Sequence, residues 1–269
     1  MKPLQSKKIL SLALNLPGPT ACHRLANWGA SVIKIEPLEG DPLNHYYPKW
    51  YQKLNSEQKT LAVSLKTNEG RQEVMSLIKE ANLVITSQLT KTLEKFNICW
   101  KDISSQSKNT SLLQILGFEN ENQPGHDLNF QAKSKLLSPP QMPKTLVADM
   151  CGAERIVSTA IAMLMLDQPT HQKVFLSKVA SDLAEPIAHG ATLGKGPLSG
   201  HLPYYGMYEC KDGWIALCAL EPQFQAKVNN ELGESSDMKA ALKDWFKIRD
   251  KAQCITWGEK LGIPLNIIM

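Results

Sequence analysis

The opening of the chain, from Ile9 to Pro37, limits the possible folds more than any other stretch. Ile9-Leu10-Ser11-Leu12-Ala13-Leu14 is an apolar run of strand length, and Pro17-Gly18-Pro19 breaks it. Thr20 stands where a helix can start, and Ala21, Leu25, Ala26 and Trp28 follow at helical spacing until Gly29 stops them. Ser31 to Glu36 is a second strand-like run, closed by Pro37. Strand, helix and strand in that order predict a βαβ unit, hence a parallel sheet with right-handed crossovers and an α/β fold. The first turn does not read Gly-x-Gly-x-x-Gly, so no dinucleotide motif accompanies it.

The alternation continues. Leu61 to Leu65, Leu83 to Thr86 and Leu112 to Leu116 read as strands, and Glu69 to Ala81 as a helix. The polar stretch Glu119 to Pro124 is expected to be a surface loop that delivers the chain to His126. A helix is expected from Asp149 to about Asp167, its buried face made by Ile156, Ala160, Met163 and Leu164. Ala191 to Leu202, rich in Gly, Pro and Ser, is the linker candidate. It divides the chain into a large parallel-sheet domain (1–190) and a small α+β domain (203–269). In the small domain Tyr204 to Glu209 and Trp214 to Cys218 flank the turn Lys211-Asp212-Gly213, which predicts a β-hairpin. Helices from Pro222 to Leu232 and Met238 to Ile248 follow it.

Of the 269 residues, 43% are apolar and 21% charged, and the formal net charge is +4 with lysines scattered. Without a basic tract, nothing points to nucleic acid, and an anionic small molecule suits the balance as well. The six cysteines, at positions 22, 99, 151, 210, 218 and 254, form no Cys-x-x-Cys pair and stand at no zinc-finger spacing from histidine. Reduced, mostly buried thiols are expected, and no metal site. Lys7 and Lys8 precede a short apolar run, but Asn15 and the Pro-Gly-Pro turn break it before any small-residue cleavage site. No segment is long and apolar enough to span a bilayer, so a cytoplasmic protein without a membrane partner is expected.

Three segments offer chemistry: Gly125-His126-Asp127-Leu128-Asn129, Val147-Ala148-Asp149-Met150 and Ala219-Leu220-Glu221-Pro222-Gln223-Phe224. Asp149 reads first as a helix N-cap, and the same position would suit a catalytic carboxylate beside backbone N–H groups. His126 reads either as a solvated loop residue or as a general acid and base. Glu221 reads as a helix-start acid or as the carboxylate that orients the histidine, for which it is a better candidate than Asp127. The remaining histidines, at positions 23, 45, 171, 189 and 201, have no obvious partners and read as structural.

Those segments resemble the alpha-methylacyl-CoA racemase branch of the family III CoA-transferase (CaiB/BaiF) superfamily. The likeness begins at Leu16-Pro17-Gly18-Pro19 and at Asn27 to Pro37. It continues through Leu61 to Lys66, Gly125 to Phe130, Val147 to Met150 and Gly200 to Phe224, and weakens towards Pro264. The resemblance implies a Rossmann-like large domain, a small α+β domain and an interlocked homodimer. It implies inversion at C2 of a 2-methylacyl-CoA thioester through an enolate. His126 would serve one face of the substrate and Asp149 the other, Glu221 would hydrogen-bond the histidine, and backbone N–H groups near Asp149 would hold the enolate oxygen. No metal or redox cofactor is implied, and coenzyme A enters only as part of the substrate.

The departures concern the CoA nucleotide. Where family members carry arginines, this chain has Pro37, Asn55-Ser56-Glu57-Gln58-Lys59 and Leu89-Thr90-Lys91. The positions expected to contact CoA are Lys59, Val63, Lys66, Leu83 and Lys91, and lysine lacks the two-pronged geometry of arginine. Glu154 is expected to put a negative charge near the developing enolate. Family members also continue past the stretch matching Ile263-Pro264-Leu265, in a segment that returns to the large domain and locks the dimer. Two alternatives accompany the same resemblance: a CoA-transferase with Asp149 as nucleophile, and a non-catalytic homologue.

Overall fold

A computed structural model describes residues 1–269. Six parallel strands make the main sheet: β1 (Lys8–Leu12), β2 (Ser31–Glu36), β3 (Lys59–Ala62), β4 (Leu83–Thr86), β5 (Ser111–Leu116) and β6 (His171–Phe175). Their spatial order is β3-β2-β1-β4-β5-β6, the doubly wound arrangement, which reverses direction between β1 and β4. Side chains alternate between two covered faces, as the period of two along a strand requires. Ile9, Leu83, Ile85, Leu113 and Ile115 pack on one face, and Leu10, Leu12, Val84 and Leu112 on the other.

Helices close both faces. The first is covered by α1 (Pro17–Asn27); the short α2 (Pro42–Tyr46) and α3 (Pro48–Asn55) follow β2, and α4 (Asn68–Glu80) covers the second. Beyond β4 come α5 (Thr90–Lys95) and α6 (Trp100–Gln106), also on the second face. Between β5 and β6 the chain makes α7 (Asp127–Lys133) and α8 (Val147–Leu164), and after β6 α9 (Leu176–Leu183); these join α1. Ala21, Cys22 and Leu25 of α1 pack with Ala153, Ile156 and Ala160 of α8, and the small residues among them (Ala21, Cys22, Ala153 and Ala160) let the two helices approach closely.

The chain separates into two compact units, Met1–Leu183 and Ala184–Met269. The break falls earlier than residues 191–202. That stretch is not an open linker, because Leu198 N–H donates to Ala191 O and Gly196 N–H to Leu193 O, which folds it into consecutive turns. The second unit contains α10 (Glu185–Ala188), the hairpin β7 (Tyr205–Cys210) and β8 (Gly213–Cys218), then α11 (Pro222–Leu232), α12 (Met238–Lys247), α13 (Lys251–Leu261) and β9 (Leu265–Ile268). The strands form an antiparallel sheet in the order β7-β8-β9. Its core holds Ile215, Leu217, Val228, Leu242, Phe246 and Trp257. All six cysteines are free thiols, and Cys22, Cys210 and Cys254 are buried. No helix is long and apolar enough to cross a membrane.

Candidate active site

A cavity of about 530 Å³ lies in the first unit at the carboxyl ends of the strands. His126, Asp127 and Asp149 all line it. The remaining wall is largely apolar and aromatic, with Leu16, Tyr46, Tyr47, Trp50, Leu146 and Leu176 among its residues, and it includes no lysine or arginine. Leu14 to Pro17, between β1 and α1, supply one side. There Asn15 takes a positive φ of 64°, and its N–H donates to Asp41 Oδ1 at 3.0 Å, which fixes the turn.

His126 caps α7, a short helix not foreseen in the sequence. Its own N–H donates to Asn129 Oδ1 at 3.0 Å, and its carbonyl accepts from Asn129 N–H at 2.8 Å. The chain arrives tightly: a Cβ on Gly125 would stand 2.5 Å from the Phe118 ring and 3.1 Å from that of Phe130. Further back, Glu121 holds the preceding loop by accepting from the Thr90 N–H and hydroxyl, each at 2.7 Å, and from Lys173 at 2.9 Å. Burial alone would raise the Glu121 carboxyl, but these donors outweigh it and hold it below the usual range.

Asp149 is not the N-cap of α8. The helix begins at Val147, with Leu146 in the cap position, and Asp149 is its third residue. The capping oxygen comes instead from Asp127, whose Oδ1 accepts the Asp149 N–H at 3.0 Å while its Oδ2 accepts from Gln131. Asp127 is 3% exposed, so a buried carboxylate joins the starts of α7 and α8 and fixes His126 and Asp149 in one frame. It also commits the Asp149 amide, which removes that N–H from any role with an oxyanion. Desolvation, and then the charge of Asp127, raise the Asp149 carboxyl from 3.8 to about 6. A carboxyl in that range can both take and return a proton near neutrality.

Sequence reasoning set Asp127 aside. The signal available was its place directly after an N-cap histidine, where its carboxylate can reach a neighbouring helix start. The aromatic wall was also missed, although the run Tyr46-Tyr47-Pro48-Lys49-Trp50-Tyr51 is dense enough to have marked it. Glu221 lies in the second unit, exposed, at the N-cap position of α11 with no side-chain capping bond. Glu154 does not face the cavity: it pairs with Arg24 of α1 at 3.0 Å.

The expected CoA positions separate. Val63 and Lys66 line a second, smaller cavity at the carboxyl ends of β1 and β2. Leu83 is fully buried at the amino end of β4, paired with Ile9, and is unavailable to a ligand. Lys59 opens the edge strand β3 opposite Ile33, and Lys91 is exposed on α5; neither lines a cavity at the sheet's carboxyl ends.

Residues 4–268 match CoA-transferase family III. The chain belongs to this family. It is 24% identical over 275 residues to human alpha-methylacyl-CoA racemase, a match covering 92% of this chain and 70% of that protein. It is 26% identical over 252 residues to (R)-2-hydroxy-4-methylpentanoate CoA-transferase of Clostridioides difficile, covering 81% and 63%. Among solved structures, a hypothetical protein from Mycobacterium tuberculosis superposes with a TM-score of 0.88 at 19% identity, covering 100% of this chain and 86% of its own. A CaiB/BaiF family protein from Brucella suis gives 0.78 at 22% identity, covering 100% and 84%. At such identities the two structures establish the fold alone. The family includes both racemases and CoA-transferases, and this chain spans about two thirds of the two relatives' lengths.

Proposed function

We propose that this protein inverts C2 of a 2-methylacyl-CoA thioester by two-base proton transfer. The observation that carries the proposal is that His126 and Asp149 line one apolar cavity, with the Asp149 carboxyl held at about 6. In one direction the Asp149 carboxylate takes the C2 proton, and the electron pair moves onto the thioester carbonyl oxygen. Protonated His126 then delivers a proton to the opposite face, and the reverse direction exchanges the roles. Backbone N–H groups near Asp149, other than its own, are the donors proposed for the enolate oxygen. A wall without lysine or arginine favours an uncharged acyl group over one with a second carboxylate. Glu221 keeps the orienting role that resemblance assigns to it.

Incubation with a 2-methylacyl-CoA in heavy water, followed by mass spectrometry, tests this. Deuterium should enter at C2, and His126→Ala and Asp149→Ala should each slow its entry by roughly a hundredfold or more. Glu221→Gln is the separate test of the orienting role. Transfer of CoA to an added free acid without exchange at C2 would replace the proposal by a transferase with Asp149 as nucleophile. Neither signal would leave a non-catalytic homologue.

A further inference from the structure

The stretch that leads from β5 to His126 has little apolar contact to hold it. Glu119, Asn120, Asn122, Gln123 and Pro124 are exposed, and Glu121 is the exception among residues 119–124. Asn120 bonds only within the stretch: its Oδ1 accepts the Asn122 N–H at 3.1 Å, and its carbonyl accepts the Gln123 N–H at 2.9 Å. Every hydrogen bond that ties residues 119–124 to the rest of the chain ends on the Glu121 carboxylate. A loop without buried contacts keeps its place only as well as such bonds hold it.

The donors to Glu121 stand on two other elements. Thr90, the first residue of α5, gives its N–H to Oε2 and its hydroxyl to Oε1, and Lys173 of β6 gives its ammonium to Oε1. The hydroxyl is itself held in place. Gln114, fully buried on β5, donates from Nε2 to Thr90 Oγ1 at 3.2 Å and to the Gln88 carbonyl at 2.8 Å. Bonds to an ionised acceptor are the strong ones, so this is a firm latch on an otherwise loose loop. On its carboxyl side His126 is held by Asn129; on its amino side it is held through Gly125 and this loop. Gly125 and His126 line the catalytic cavity, whereas residues 119–124 do not.

We propose that Glu121 is a positioning residue for His126: the latch of Thr90, Glu121 and Lys173 holds the imidazole at the reach that proton transfer needs. This rests on the two-base reading of the site and names the group that sets one of its bases. Release of the latch leaves the substrate-facing wall in place, so the loss falls on turnover and spares binding.

Thr90→Pro tests it. Leu89 already has an extended backbone, with φ −66° and ψ 151°, and proline suits the first position of a helix. The substitution therefore keeps α5 while deleting both Thr90 donors. Glu121→Ala removes the acceptor from the other side, and Thr90→Ser keeps both donors. Backbone amide exchange, read by mass spectrometry, should run about tenfold faster or more over residues 119–126 in Thr90→Pro and Glu121→Ala, with β5 still protected. For deuterium entry at C2, kcat should fall about ten- to a hundredfold with KM within about threefold, and Thr90→Ser should keep the wild-type rate. In a His126→Ala background the same two substitutions should change the residual rate by less than about twofold, because the latch acts through the imidazole. Slowing of equal size with and without His126 overturns the proposal. So does amide exchange, or kcat, that neither variant alters. Faster loop exchange in a protein whose wild type puts no deuterium at C2 sinks the racemase reading and leaves the tether standing; C2 exchange that survives loss of the latch does the reverse.

Discussion

Asp149 shows at the residue scale how a functional group weakens the fold that holds it. With its carboxyl raised from 3.8 to about 6, the folded state keeps the proton more tightly than the unfolded chain does. Stability therefore falls as pH climbs from 3.8 towards about 6 and stays reduced above that, at a cost on the order of 1–3 kcal/mol. Asp149→Asn removes that cost. Thermal melts should show it roughly 2–6 °C more stable than wild type at about pH 7.5, and equal to it below pH 3.8. A variant no more stable at the higher pH would contradict the buried carboxyl. In the direction where Asp149 is the base, C2 exchange should rise with pH around 6. Asp127→Asn keeps an oxygen for the Asp149 N–H but removes the charge, so that limb should move to lower pH. It should move only partway, because burial is the larger cause.

At the scale of elements, the approach to α7 is the most tightly fitted part of the site. Gly125→Ala would press a methyl group against two buried aromatic rings, which meet edge to face with centroids 5.1 Å apart. A destabilisation of about 1–3 kcal/mol is expected, read from urea melts. Exchange at C2 should slow by roughly ten- to a hundredfold as His126 shifts. The strands were legible where strongly apolar: β2 and β4 match the sequence expectation residue for residue, and α11 does too. β6 was not legible, because its sequence His171-Gln172-Lys173-Val174-Phe175 is polar for most of its length. It is a strand because β5 offers it an open edge, a fact of tertiary structure. The start of α8 was misplaced for a related reason. An aspartate just before an apolar run looks like a cap, and the oxygen that serves α8 comes from Asp127, 22 residues earlier.

For the whole molecule, the apolar clusters are closed within their units. Three lie inside residues 1–183 and one inside 184–269. Residues 1–183 expressed alone are therefore expected to unfold cooperatively in urea, with the circular dichroism of a mixed α/β protein; a fragment without a cooperative transition would count against this. His126, Asp127 and Asp149 all stand on one connection, between β5 and β6, whereas the connection that follows β2 serves both cavities: Tyr46, Tyr47 and Trp50 line the larger one, and Leu38 and Glu39 the smaller. Asp41 on that same connection also accepts the Asn15 N–H and so fixes the turn beside the larger cavity. Mutations in that connection are therefore expected to be felt at both cavities. In heritable terms the two cavities are linked, because variation in one short stretch of sequence reshapes both at once.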